Sequence, residues 1–425
     1  MKKLLILSSI IFATLSSLAQ TRSDYDAATK DLKHYYNQLL TDSIYYMMAP
    51  RMKTLAPQDK MEAQFKQTYQ QLGEIQSINF IKEEKGIYYY KAVLQNATLS
   101  LLLVLNKDNK AETLRFLPYK PETKDTVLKE VSNIFLNTAT GRICGTLTMP
   151  DGVSKPPVVL LIAGSGPTDR AGNNNIGLNT NSYKMIADSL QKAGIACVRY
   201  DKRGVGESMG VLKNEADLRF EDMISDAQGL VKMLKQDPRF SKVIVMGHSE
   251  GSLIGMIVAA REKTAGYISV SGIAERIDVI VEKQFTANSP VLGEESKIIM
   301  DSLVKGYIVK NVDSDLMVLF HPSVQPFLIS WLKYDPRLEI KKLKMPVLIL
   351  QGTHDIQVEA DEAEKLHKAC PRSTLKIIDG MSHILKQGPE NRADNYATYA
   401  EPELPLSPGL MPAIIKFVDS LTKSK

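Results

Sequence analysis

Val243-Ile244-Val245-Met246-Gly247-His248-Ser249-Glu250-Gly251-Ser252-Leu253-Ile254-Gly255 is the stretch whose reading decides how this chain folds. Its first four residues are an unbroken apolar run of strand length, bounded by a turn. Beyond the turn, small residues recur at Gly251, Ser252, Gly255, Ala259 and Ala260, as a closely packed helix would require. Between strand and helix, Gly247 and Gly251 flank His248-Ser249-Glu250. Glycines on both sides remove side chains that would clash in a sharp turn, and such a turn holds a serine hydroxyl clear of the backbone. The helix behind it directs its free N–H groups and positive dipole end toward developing negative charge. Ser249 is therefore a candidate nucleophile. A chance GxSxG would not come with this strand-turn-helix context.

Working outward, strands and helices alternate. Val158 to Ala163, Ile195 to Tyr200, Tyr267 to Val270, Val347 to Leu350 and Leu375 to Ile378 read as strands, and Ser182 to Ala193 and Phe220 to Leu234 as helices. Alternation of this kind predicts an α/β fold with right-handed crossovers and a mostly parallel sheet buried on both faces. Val131 to Leu136 and Ile143 to Met149 predict an opening hairpin. A helical insert over about 274–340 interrupts the alternation, and it is expected as a lid at the carboxyl edge of the sheet. The catalytic domain is thus expected over 126–425.

Residues 20–120 follow a different grammar. Leu32, Tyr35, Tyr36, Leu39 and Leu40 recur at helical spacing, as do Met61, Phe65, Tyr69 and Leu72. After Gly73, short apolar runs at Ile78-Phe80-Ile81, Ile87 to Tyr90 and Leu99 to Leu105 predict a meander. This is a small α+β domain, with Phe116 to Asp125 as the linker.

Five motifs in order resemble those of the α/β-hydrolases, in particular the secreted bacterial esterase and serine-aminopeptidase-like branch. They are Gly164-Ser165-Gly166-Pro167-Thr168-Asp169-Arg170, Tyr200-Asp201-Lys202-Arg203-Gly204-Val205-Gly206-Glu207-Ser208, Gly247 to Gly251, Gly352-Thr353-His354-Asp355 and Gly380-Met381-Ser382-His383. The N-terminal segment resembles, more weakly, a small domain of unknown function that precedes such hydrolases and shares the nuclear transport factor 2-like fold.

A serine hydroxyl needs a base, and the base needs an orienting group. The resemblance implies the order Ser, acid, His. Of the six histidines, His383 alone follows a late strand through a tight Asp379-Gly380 turn near the end of the chain. His248 is expected to point away from the hydroxyl, and His354 to be structural. Asp355 ends the strand Val347 to Gln351 and can fix the imidazole tautomer, whereas Asp379 is too near His383 in the chain to orient it easily. The expected triad is Ser249, Asp355 and His383. Two backbone donors should face the tetrahedral oxygen. One is the N–H of Glu250. The resemblance implies Ser165 for the other, with Gly166 as the alternative. Asp201-Lys202-Arg203-Gly204 could be read as a basic substrate site, but the resemblance implies an architectural loop with an internal Asp–Arg pair. Asp169, Arg170 and Asn173-Asn174-Asn175 read as the rim of a pocket. Trp331, Phe320 and Phe327 read as lid core.

Composition limits the remaining possibilities. Apolar content of 44% and charged content of 24% over 425 residues suit a globular protein, and a formal charge of +5 leaves no footprint for nucleic acid. Met1-Lys2-Lys3, the apolar run Leu4 to Leu15 and Ser17-Leu18-Ala19 resemble a signal peptide over 1–19, which predicts export to the periplasm or beyond. No stretch is long enough for stable membrane insertion. Cys144, Cys197 and Cys370 have no CxxC spacing; buried thiols are expected at the first two, and one disulfide involving Cys370 stays open. No metal or organic cofactor is implied. The expected partner is a small-molecule ester substrate. Peptide or amide hydrolysis by the same triad is the rival within enzymes, with Glu250, Asp169 or acids of the insert holding a substrate amine. A non-catalytic binding protein on a hydrolase fold is the rival outside them.

Overall fold

The computed structural model describes residues 20–422 apart from 56, 85, 120–132 and 175–176, and divides into two compact units after Tyr119. The expected signal segment, most of the expected linker, the start of the opening hairpin and Asn175 lie outside the described residues.

In the first unit, α1 (Arg22–Asn37), α2 (Thr41–Met47), α3 (Pro50–Leu55) and α4 (Gln58–Leu72) precede an antiparallel meander of β1 (Ile75–Glu84), β2 (Ile87–Leu94), β3 (Thr98–Leu105) and β4 (Ala111–Pro118). Burial alternates along the ends of β2 and β3, so Tyr90, Ala92, Leu94, Leu101, Leu103 and Leu105 form one buried face. Tyr25, Leu32, Tyr36 and Ile44 cover it, and the Tyr25 ring stacks on Tyr88 with centroids 3.7 Å apart. Two expectations fail here. Helix α1 stops at Asn37, and Leu39 takes a left-handed φ of 53°, so Leu39 and Leu40 leave the apolar stripe and are exposed. Phe116 to Pro118 complete β4, where they pair with β3, and are not linker.

The second unit is built on an eight-stranded sheet. Its strands are β5 (Ile134–Thr138), β6 (Gly141–Thr148), β7 (Val158–Ile162), β8 (Ala196–Tyr200), β9 (Val243–His248), β10 (Gly266–Val270), β11 (Val347–Gly352) and β12 (Thr374–Ile378). They lie in the order β12-β11-β10-β9-β7-β8-β6-β5, antiparallel only where β6 meets β5 and β8. Its helices are α5 (Ser182–Lys192), α6 (Phe220–Gln236), α7 (Glu250–Glu262), α8 (Ile277–Asn288), α9 (Pro290–Val304), α10 (Met317–Phe320), α11 (Gln325–Trp331), α12 (Pro336–Lys341), α13 (Ala360–Ala369), α14 (Arg392–Ala397) and α15 (Leu410–Thr422). Val159, Leu161, Ile244, Met246, Ile268 and Val270 pack against Ile186 and Leu190 of α5 and Ile414 and Val418 of α15. The alternate residues of the same strands point to the other face, where α6, α7 and α13 pack. With both faces covered, each central strand is apolar throughout, which explains the unbroken run at Val243 to Met246.

From β7 the chain moves outward to β8 and then returns to the opposite side of β7 as β9. A crevice opens at the carboxyl ends of strands where the order reverses in this way. The segments 163–170 and 248–251 both start there. The expected helical insert is present as α8 to α12. Its α11 packs on α6, where the rings of Trp331 and Phe220 stack at 5.3 Å with planes 5° apart, and Phe320 and Trp331 are buried. Helix α12 packs on α7 and α13, so it serves as the crossover into β11 rather than as part of a cover. Cys144, Cys197 and Cys370 are all buried, and none of them forms a disulfide among the described residues. Among the described residues, no helix is long and apolar enough to cross a membrane, and no cluster of three or more metal-ligating side chains forms.

Helix α7 is buried from Glu250 to Ala259 and depends on close backbone approach. A Cβ at Gly251 would overlap the carbonyl oxygen of Ile162 and sit 2.5 Å from that of Ala163. Gly251→Ala should therefore lower stability by about 1–3 kcal/mol or more in urea unfolding. Gly210→Ala, where an added Cβ meets nothing within 4 Å, should stay within about 0.5 kcal/mol of the parent. Equal midpoints for the two variants would show that the turn does not depend on this approach.

Candidate active site

Ser249 occupies the tip of the β9–α7 turn with φ 55° and ψ −121°. An L-residue rarely adopts this backbone, and it persists only when the surroundings impose it. Three contacts do so: Ser249 N–H donates to Val270 O at 3.0 Å, Ser249 O accepts from Ser252 N–H at 2.9 Å, and Gly247 has no side chain to strike the backbone of Gly251. The side chain is half-exposed, whereas its neighbours His248 and Glu250 are buried.

Asp355, in the turn after β11, and His383, after β12, come together as expected. Nδ1 of His383 lies 3.0 and 2.9 Å from the two carboxylate oxygens, and both side chains are buried. The carboxylate also accepts from Gln357 N–H and Val358 N–H, each at 2.9 Å, and from the Gln351 amide at 3.0 Å. Burial alone would raise the Asp355 pKa. The nearby imidazole, its hydrogen bond and the two amides outweigh burial and hold the carboxyl below its usual value. An ionised carboxylate only accepts, so Nδ1 carries the proton and Nε2 is left as the free acceptor. Among the described residues the His383 ring bonds only to Asp355. Its link to Ser249 is not closed, and such links often tighten only with substrate. Asp379 is exposed and bonds Thr353, not His383, and His354 Nδ1 bonds Gly388 O at 2.6 Å in a structural role.

His248 turns away from the hydroxyl and bridges two other elements. Its Nε2 lies 2.9 Å from His383 O and its Nδ1 2.7 Å from Tyr183 Oη. A carbonyl can only accept, so Nε2 carries the proton and Nδ1 accepts from the tyrosine. The Tyr183 oxygen in turn accepts from Gly164 N–H at 3.1 Å. Burial, and then the charge of His383, push the His248 pKa down to about 3, so this ring stays neutral and its donor pattern is fixed. A chain of hydrogen bonds thus joins the 164–166 loop to the backbone of His383. No linear signal marks Tyr183, which reads as one more ring on the apolar face of α5.

The 164–166 loop runs against Ser249: a Cβ at Gly164 would lie 3.2 Å from Ser249 Cβ. Ser165 and Gly166 are exposed, and among the described residues Ser165 N–H donates to no acceptor. Glu250 is the first residue of α7, so its N–H has no partner within the helix. Both amides border Ser249, one in the loop packed against it and one as its neighbour in the chain. The next residues form scaffold and not a rim. Asp169 accepts from Ala171 N–H and Asn173 N–H at 2.8 and 2.9 Å, and burial raises its pKa. Arg170 is buried and pairs with Asp201 at 2.8 Å and Glu207 at 2.9 Å. Arg203 pairs instead with Asp226 of α6, at 2.6 Å. Asp201 and Arg203 thus do not pair with each other: each finds its Asp–Arg partner outside the 201–204 string. Lys202, between them, is also buried, with Nζ 2.5 Å from Gly164 O and 3.5 Å from Glu250 Oε1.

A family model described as serine aminopeptidase, S33 (Hydrolase_4), matches residues 176–318, a span that includes Ser249 but neither Asp355 nor His383. Among curated proteins, esterase EstD of Thermotoga maritima is 29% identical over 322 residues, covering 72% of this chain and 74% of the relative. Monoglyceride lipase of Rattus norvegicus is 28% identical over 228 residues, 49% of this chain and 73% of the relative. Among solved structures, Est1E of Butyrivibrio proteoclasticus with ferulic acid aligns at TM-score 0.44 and 15% identity over 68% of this chain and 97% of its own. The family model and the sequence relatives support the α/β-hydrolase superfamily.

Proposed function

We propose that this chain is an exported serine hydrolase that cleaves carboxylic esters through an acyl-enzyme. The observation that carries the reading is the His383–Asp355 pair, with its Nε2 left free, behind a serine held in a strained turn. Ser249 Oγ attacks the ester carbonyl as His383 Nε2 takes its proton. The carbonyl oxygen becomes an oxyanion facing the N–H groups of Ser165 and Glu250. His383 then returns the proton to the leaving alkoxide, the acyl group stays on Ser249, and water repeats the sequence to release the acid. Asp355 keeps the imidazole in the tautomer that both half-reactions need.

Esters are favoured over aminoacyl substrates by the state of two acids that could have held a substrate amine, Glu250 and Asp169. A substrate ammonium needs a free carboxylate. Glu250 faces Lys202 and Asp169 is tied to its own turn, so neither is available. The relatives named as esterase and monoglyceride lipase support the same direction. Export rests on the basic and apolar pattern of residues 1–19. The first unit is proposed as an accessory domain that shapes access or stability and has no chemistry of its own.

A panel of p-nitrophenyl esters of increasing acyl length, run beside aminoacyl anilides, tests the substrate class: esters should turn over and anilides should not. Preferential anilide cleavage would favour the aminopeptidase reading. Ser249→Ala should lower kcat by on the order of 10³-fold or more with native circular dichroism, and a fluorophosphonate probe should label Ser249 alone. Retained activity in that variant would remove the nucleophile assignment. An imidazole base works only when neutral, so kcat/KM should rise as the pH climbs out of the acid range. His248, held down at about 3, cannot produce that rise. Asp355→Asn should cut kcat by about 10³–10⁴-fold by favouring the wrong tautomer. A profile flat from about pH 5 to 8, with chemistry rate-limiting, would contradict the His383 role. A chain beginning near residue 125 should still be labelled at Ser249 but change in acyl-length preference or thermal midpoint; identity with the full chain in both would end the accessory role.

A further inference from the structure

Lys202 is a buried cation with no part in the proton and acyl transfers of Ser249 and His383. Its side chain is 5% exposed and that of Glu250 is 3% exposed. Taking two such charges out of water is costly, and replacing a buried pair with apolar side chains is often neutral or stabilising. Stability is therefore a weak reason for a lysine here, and its position supplies a better one.

The ammonium touches both segments that offer an amide to the tetrahedral oxygen. It donates to Gly164 O at 2.5 Å, and it lies 3.5 Å from the carboxylate of Glu250. Gly164 O and Ser165 N–H belong to one peptide unit. The chain has no cis peptide bond among the described residues, so in that rigid plane the two groups point in opposite directions. Whatever holds the carbonyl therefore aims the N–H. On the other side of Gly164, its own N–H is held by Tyr183 Oη at 3.1 Å, so the preceding peptide of the loop is anchored as well. Polarisation acts in the same sense, because an amide whose carbonyl is bonded to a cation becomes a stronger donor at its nitrogen.

We propose that Lys202 is a positioning residue for ester hydrolysis: by gripping the Gly164 carbonyl and the Glu250 carboxylate it sets the direction and strength of the Ser165 and Glu250 amide donors. This rests on the serine-hydrolase reading of Ser249. It also selects Ser165 over Gly166 as the donor of the loop, since the plane that Lys202 holds ends at the Ser165 nitrogen.

The test compares Lys202→Met with the double variant Lys202→Met/Glu250→Gln, in which no unpaired carboxylate remains buried. Each is measured in the full chain for urea midpoint, kcat, KM and inhibition by a trifluoromethyl ketone, which adds to the serine and leaves an oxyanion at the same place. If the single variant does not fold, the double variant carries the measurement. The expected result for a folded variant is a fall in kcat of about 10–100-fold with KM within about twofold, and weaker ketone inhibition by a matching factor. Lys202→Arg should recover part of the loss. A folded double variant with parental kcat and ketone affinity would overturn the role of Lys202 while leaving the triad in place. A loss confined to KM or to stability would do the same. Absence of Ser249-dependent hydrolysis in the parent chain would instead overturn the reading beneath it.

Discussion

Everything at the carboxyl edge of the larger sheet depends on how closely the first turn of α7 approaches the end of β7. Gly251 lies against the carbonyls of Ile162 and Ala163, and Gly247 lies against the backbone of Gly251. With side chains absent at both positions, α7 can start directly behind the sheet, and Ser249 is pushed into the strained conformation at its tip. The same approach brings the chain leaving β7 alongside Ser249. Strain at one residue, imposed by packing around it, thus fixes where the Ser249 hydroxyl lies relative to the 164–166 loop and the start of α7.

Around that contact the protein uses buried polar groups as ties between segments that are remote in sequence. Tyr183 and His248 connect the Gly164 amide to the His383 carbonyl, with every donor facing an acceptor. Arg170 ties the loop after β7 to Asp201 and Glu207, and Arg203 ties the loop after β8 to α6. Each tie is short, and most are out of water, where a half-satisfied polar group would be expensive. Loops that would otherwise move freely are therefore held to the rigid sheet, which is what a site working by preorganised donors requires.

The sequence made the elements of the larger unit legible because a sheet covered on both faces writes long apolar runs. Val158 to Ile162 and Val243 to Met246 could be read directly for that reason. The turn at Ser249 and the pairing of Asp355 with His383 were legible because a serine hydrolase would restrict both the residue types and their places at the ends of strands. The partners of these residues were not. Tyr183 lies on a helix face like any core aromatic, and Arg170 was read as a rim residue although its charge is spent inside. The reason is physical: such partnerships are made across the sheet between loops dozens of residues apart, and no local periodicity records them. Leu39 and Leu40 mark the opposite failure. Their spacing continued a helix that the backbone had already ended at Asn37.

The central claim is that Ser249 carries the acyl group between two half-reactions. Rapid mixing with excess p-nitrophenyl acetate, acid quenching and peptide mass analysis tests it most directly. The account predicts a burst of nitrophenol close to one equivalent and an acetyl group on the peptide containing Ser249. Steady release without a burst, when deacylation is known to be slow, or an acetyl group on any other residue would contradict it.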